Sequence, residues 1–217
     1  MISPRGASPT ASCRGAAGRA LTEPRAMAQA PALILASASA RRQALLARLG
    51  IAPAAIIGAD IDETPHAGEL PRAYAVRMAR EKAGAVPSPD AHVLAGDTVV
   101  ALGRRIMPKA EDEGCARQCL ALLSGRRHRV FSAVALLAPD GRLRERLSET
   151  VVRFKPLSGQ EIDAYLAAGE WHGKAGGYAI QGRAEALIAW IAGSHSAVVG
   201  LPLFETRALL GAAGFPV

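Results

Sequence analysis

Three cysteines in 217 residues, Cys13, Cys115 and Cys119, are too few and of the wrong parity for a disulfide framework, and they suit a reducing compartment. Cys115 and Cys119 lie four apart in a helical pattern, but no further Cys or His stands at ligand spacing. His66, His92, His128, His172 and His195 are scattered, which argues against zinc. Aromatics make up only 4% of the chain, and none interleaves with a dense basic face, so nucleic acid is not an expected partner. No apolar run approaches the ~18–20 residues that span a bilayer. The sequence also lacks a G-x-x-x-x-G-K-[ST] loop, a G-x-S-x-G elbow and a G-x-G-x-x-G turn after a strand. These absences remove the commonest NTPase, hydrolase and dinucleotide-binding readings.

Half of the residues are hydrophobic, enough to build a sizeable core from Ala, Leu, Val and Ile. The formal charge is +7, of which residues 1–30 supply +3 (four arginines against Glu23), leaving +4 for the rest. That first stretch is rich in Ala, Gly, Ser, Pro and Arg without periodicity. It is expected to be a disordered extension, or an over-extended start with Met27 as the true one. A single domain is expected over residues 31–217, in the cytoplasm since no export signal is visible.

From residue 33 onward, strand and helix patterns alternate. Strands are expected at 33–36, 53–59, 92–95, 130–138, 143–154 and 187–191. Helices are expected at 41–49, 71–85, 111–123, 159–168 and from 202. Pro139-Asp140-Gly141 marks a hairpin, and Ser158 with Glu161 forms a capping box. A hairpin inside an alternating pattern predicts an α/β fold whose central sheet is mixed and flanked by helices.

The most telling segment is Leu35-Ala36-Ser37-Ala38-Ser39-Ala40-Arg41-Arg42. A strand that turns directly into a helix presents backbone N–H groups and the positive end of a helix dipole, a seat for an anion. The hydroxyls of Ser37 and Ser39 and the Arg42 guanidinium suit phosphate oxygens. Asp97 sits between two apolar runs. It is either a turn former at a strand end or a carboxylate in need of a cation. Glu63, in an acidic loop, is either a solvated acid or a second oxygen ligand for Mg²⁺ or Mn²⁺. Lys109 and Lys174 are further candidate phosphate contacts, and the Gly-rich surroundings of Lys174 let the backbone approach a ligand closely. Gln181 carries an amide that can read a base edge or a phosphate oxygen.

Taken in order, these segments resemble the Maf-like nucleotide pyrophosphatases, from about residue 32 to 210. The resemblance rests on L-A-S-x-S-x-R-R at 35–42, I-D-E at 61–63 and A-x-x-K-A at 79–83. D-T-V-V at 97–100 follows, with Lys109 beyond it, then L-S-G-x-x-H at 123–128. E-W-x-G-K-A-G-G-Y-A-I-Q-G at 170–182 and V-V-G-L-P-L-x-E-T at 198–206 complete it. It implies a two-lobed fold with a central cleft, usually homodimeric, related in shape to the inosine triphosphate pyrophosphatases. It also implies metal-dependent hydrolysis of a nucleoside triphosphate to the monophosphate and pyrophosphate. The segment at 174–182 resembles the branch acting on dTTP and UTP; 7-methyl-GTP, a modified nucleotide, or a regulatory role in septum formation are the alternatives. Position by position, the resemblance makes Asp97 the catalytic base, with Lys109 beside it. It links Arg42, Thr98 and Gln181 to substrate choice, and places Ser37, Glu63, Lys109 and Lys174 around phosphates and metal. Two departures are Ala40, where the family usually has proline before the arginine pair, and Ala110, where proline usually follows the lysine.

Overall fold

A computed structural model describes residues 31–217, so the expectations for residues 1–30, Cys13 included, lie outside the described residues. The chain begins with β1 (Leu33–Leu35), α1 (Ala40–Ala47) and β2 (Ala55–Ile56), then α2 (Pro71–Gly84) and the long β3 (His92–Leu102). Pro71 fits the first helical position of α2, where its missing N–H costs nothing. Two short strands, β4 (Arg105–Ile106) and β5 (Lys109–Ala110), lead to α3 (Glu113–Leu123). Next come β6 (Arg127–Leu137) and β7 (Leu143–Phe154), joined by the expected hairpin. After them follow α4 (Gly159–Ala167), β8 (Lys174–Ala175), a 3₁₀ turn and β9 (Ile188–Ala192), then α5 (His195–Val199) and α6 (Leu203–Gly211). The capping box forms as expected: Ser158 Oγ accepts from the Glu161 N–H while the Glu161 carboxylate accepts from the Ser158 N–H.

The main sheet runs β2-β1-β3-β6-β7-β9, with β4 on β3. β1 is parallel to both β2 and β3, whereas β3, β6, β7 and β9 pair antiparallel, so the sheet is mixed as the sequence predicts. One face is covered by α2, whose Tyr74, Ala75, Met78 and Ala79 meet Val93, Val99, Phe131 and Ala133. The other face has two separate cores. Leu45 and Leu46 of α1 and Leu209 and Leu210 of α6 cover one end. α3, α4 and the β5–β8 ribbon cover the other, packed on Val100, Val130, Val152 and Phe154. The gap between these two cores is the cleft of a two-lobed α/β structure.

Several elements differ from expectation. Residues 53–59 pair only at Ala55–Ile56. The strand expected at 92–95 continues without a break to Leu102, so Asp97 stands in the middle of a strand and is not a strand-end turn former. α3 begins later than expected because Asp112 caps it, accepting from the Cys115 N–H at 2.7 Å. α5, five residues long with two valines, carries no helical pattern in the sequence and is held by its Ser194 cap, which accepts from the Ala197 N–H.

Candidate active site

β1 lies between β2 and β3; the chain passes from β1 to β2 through α1 on one face of the sheet and from β2 to β3 through α2 on the other. The carboxyl end of such a strand is where open α/β sheets leave a crevice. Here that end carries residues 36–42. β1 pairs with β3 only as far as Leu94, and β4 joins β3 again only at Ala101. The edge of β3 between them is open, so side chains from both of its faces reach one space. Asp97, on the α2 face, and Thr98, on the opposite face, both border a cavity of about 290 Å³.

All nine side chains singled out from the sequence line this cavity: Ser37, Ser39, Arg42, Glu63, Asp97, Thr98, Lys109, Lys174 and Gln181. They come from five separate stretches of chain. Ser37 is buried, and its Oγ accepts from the Ser39 N–H at 3.3 Å and from Arg42 Nη1 at 3.0 Å. The Arg42 Nε donates to the Gly200 carbonyl at 2.8 Å, and the Arg41 Nε to the Val199 carbonyl at 3.3 Å. The segment at 198–206 therefore serves to hold the arginine pair. Thr98 Oγ1 is 3.0 Å from Ser132 Oγ, its cross-strand partner. Lys174 donates to the His172 carbonyl at 2.8 Å. The Ser39 side chain makes no capping bond to α1, so its hydroxyl is not consumed by the helix.

Sequence reasoning missed Lys82 as a site residue. It occupies a buried position on the apolar face of α2, and its Nζ lies 2.8 Å from Asp97 Oδ1 and 2.7 Å from Glu63 Oε1. The signal was present: a lysine recurring in register with Ala75, Met78 and Ala79 has to find a charged partner inside the protein. Glu63 pairs through its other oxygen with Lys109, and the Tyr74 hydroxyl donates to the Glu63 carbonyl oxygen at 2.6 Å. Glu63 is thus no solvated loop acid. Burial pushes its carboxyl up, but the Lys109 and Lys82 ammoniums outweigh that and hold it down at about 2. No described residue donates to Asp97 Oδ2.

Positive charge converges on the opposite wall. Burial lowers the Arg42 guanidinium from its ordinary value, with Asp97 opposing. Burial also lowers Lys174, and the nearby Arg41 lowers it further. Arg41, Arg42 and Lys174 thus bring like charges to one cavity, an arrangement that favours an anion between them. The Gly-rich stretch closes the site with its backbone. Gly176 and Gly177 both adopt φ +69, and a Cβ on Gly176 would sit 2.9 Å from Val100 Cγ1. Glu170 accepts from the Arg183 N–H at 2.7 Å and anchors the chain just beyond Gln181.

Fold and site together define an α/β protein with a cleft lined by arginines and lysines and a carboxylate at its open strand edge. The chain belongs to the Maf family: residues 32–213 match the family described as Maf-like protein. It is 67% identical over 193 residues to a dTTP/UTP pyrophosphatase of Novosphingobium aromaticivorans, spanning 88% of this chain and 96% of that protein. It is 61% identical to a protein of the same description from Sphingopyxis alaskensis, over 86% of this chain and 99% of that one. Among solved structures, a nucleoside-triphosphatase / dITP/XTP pyrophosphatase from Mycobacterium abscessus aligns over 56% of this chain and 72% of its own. With 19% identity and a TM-score of 0.38, that partial likeness adds nothing to the assignment.

Proposed function

We propose that this protein hydrolyses nucleoside triphosphates, dTTP and UTP favoured, to the nucleoside monophosphate and pyrophosphate. The observation that carries the proposal is that Asp97 borders the same cavity as Arg42, Lys109 and Lys174. The descriptions of the relatives as dTTP/UTP pyrophosphatases support the choice of nucleotide. Splitting a phosphoanhydride needs positioning, charge neutralisation and an activated water; it needs no protein nucleophile. Arg42, Lys109, Lys174 and the N–H groups near Ser37 and Ser39 would grip the phosphate chain. Lys82 holds Asp97 by Oδ1 and leaves Oδ2 able to take a proton from water.

A divalent cation belongs to the proposal. Glu63 and Asp97 offer hard oxygen donors that share one lysine, and no group of three His, Cys, Asp or Glu suited to a metal exists among the described residues. That donor set fits Mg²⁺ or Mn²⁺ held by one or two carboxylates with the remaining positions left to phosphates and water. When bound, the cation would offset phosphate charge and polarise the bridging oxygens.

Arg42, Thr98 and Gln181 are proposed to select the base. Thymine and uracil share the O2, N3–H and O4 edge, so one amide with backbone groups can accept both. Pyrophosphate release measured across a panel of nucleoside triphosphates at equal concentration, 7-methyl-GTP included, tests the proposal; no preference for dTTP and UTP would overturn it. A homodimer and a cytoplasmic setting are part of the same proposal, supported by the family resemblance alone. Sedimentation of the purified protein tests the first and fractionation of cells the second. No helix among the described residues is long and apolar enough to cross a membrane.

A further inference from the structure

Behind the cleft wall lies a buried polar pair that the proposed chemistry does not use. His128, on β6, is 2% exposed, and its Nε2 is 2.8 Å from the Tyr178 hydroxyl. The imidazole stacks on Phe154 at 5.8 Å, and the Tyr178 ring stands edge-on to both. The other imidazole nitrogen, Nδ1, is buried with no hydrogen-bond partner. Burial pushes the imidazole down to about 4, so it is neutral at physiological pH.

This arrangement costs stability. A neutral imidazole has one donor and one acceptor, and this one satisfies a single nitrogen. An aromatic hydrocarbon of similar shape would fill the space without a stranded polar atom. His128 meets Tyr178 twice, through the hydrogen bond and through the edge-on ring contact at 5.5 Å.

Tyr178 belongs to the segment that lines the cleft. Gly176 and Gly177 pass so close to the core that a Cβ on Gly177 would meet Ala116 Cα at 3.1 Å. Ala179 N–H donates to the Tyr165 hydroxyl at 3.0 Å. The stretch from Gly176 to Ala179 is thus clamped at every residue, and the exposed Gln181 follows two positions later. An amide can read a base edge only if its backbone is held to within a fraction of an ångström. We infer that His128 is a positioning residue: through its hydrogen bond to Tyr178 it sets the place of the segment carrying Gln181, and with it the discrimination between bases. The inference rests on the proposed activity on dTTP and UTP.

The test compares the wild type with Tyr178→Phe, His128→Phe and the double variant, measuring kcat, KM and thermal midpoint with dTTP, UTP and dCTP. Loss of the bond is expected to raise KM for dTTP and UTP about three- to tenfold, with a smaller fall in kcat and a narrowed preference over dCTP. The double variant, with no polar group left stranded, should recover thermal stability beyond the sum of the singles while keeping the raised KM. Lower thermal midpoints with unchanged KM and base preference would overturn the inference and leave the pair a packing feature. Tyr178→Phe, which loses one oxygen, decides the matter if His128→Phe does not fold. Turnover of dTTP by the wild type with unaltered variants sinks the inference alone; absence of any wild-type turnover sinks the proposed activity and the inference with it.

Discussion

Lys82 donates to Asp97 Oδ1 across 2.8 Å from a side chain that is itself 9% exposed, against 8% for the aspartate. A helix on one face of the sheet thereby reaches a carboxylate in mid-strand. The same ammonium touches Glu63 at 2.7 Å, so a single buried cation ties the acidic loop, α2 and β3 together. Without it, two carboxylates would share one corner of the cleft.

Asp97→Asn keeps the shape of the side chain and removes its ability to take a proton. Turnover is expected to fall on the order of 10²–10⁴-fold, with the fold retained. Pyrophosphate release by the purified variant measures the first and circular dichroism the second. Near-normal turnover would remove Asp97 from the role of base.

Lys82→Met preserves much of the buried stem and deletes the charge. Glu63 then loses one of the two ammoniums that hold its carboxyl down, with Lys109 remaining. A loss of at least about tenfold in kcat is expected. The acid limb of the pH–rate profile should move to higher pH. An unshifted limb would show that Lys82 does not hold the Glu63 carboxyl down.

Chelation by EDTA is expected to abolish turnover, and added Mg²⁺ or Mn²⁺ to restore it. Glu63→Gln should raise the concentration of metal needed for half-maximal rate. Full activity after exhaustive chelation would remove the cation from the mechanism.

Two groups make stability depend on pH in separate windows. Glu63 moves from 4.5 in the unfolded chain to about 2 in the fold. The unfolded state therefore binds the proton first, and the stabilisation is complete above 4.5 and lost as pH falls through 2. His128 moves from 6.5 to about 4, so its neutral form favours the fold above 6.5 and the benefit fades as pH falls toward 4. Thermal midpoints followed down in pH should flatten in the upper window for His128→Phe and in the lower one for Glu63→Gln. Parallel curves for variants and wild type would contradict both assignments.

Gly176→Ala combines a left-handed backbone, φ +69, with a Cβ that would lie 2.9 Å from Val100. A destabilisation of about 2–4 kcal/mol is expected from the two costs together. Denaturant unfolding measures it. A stability equal to that of the wild type would mean that β3 yields easily at Val100.

What the sequence determined by itself were features written locally. The capping box at Ser158, the hairpin at Pro139-Asp140-Gly141, the turn from β1 into α1, and the alternation that makes a mixed sheet all depend on neighbours within a few residues. The residue types of the site were legible for the same reason, since serines and arginines after an apolar run have few other uses. Tertiary structure alone decided the rest. Whether Asp97 ends a strand or stands in the middle of one depends on β6 pairing along its whole length, a contact distant in sequence. Lys82 looks like one more position on a helix face until α2 docks and sets its ammonium between Glu63 and Asp97. Spacing along the chain cannot show that convergence, because it arises where β1 stops short and leaves the edge of β3 open to both faces of the sheet.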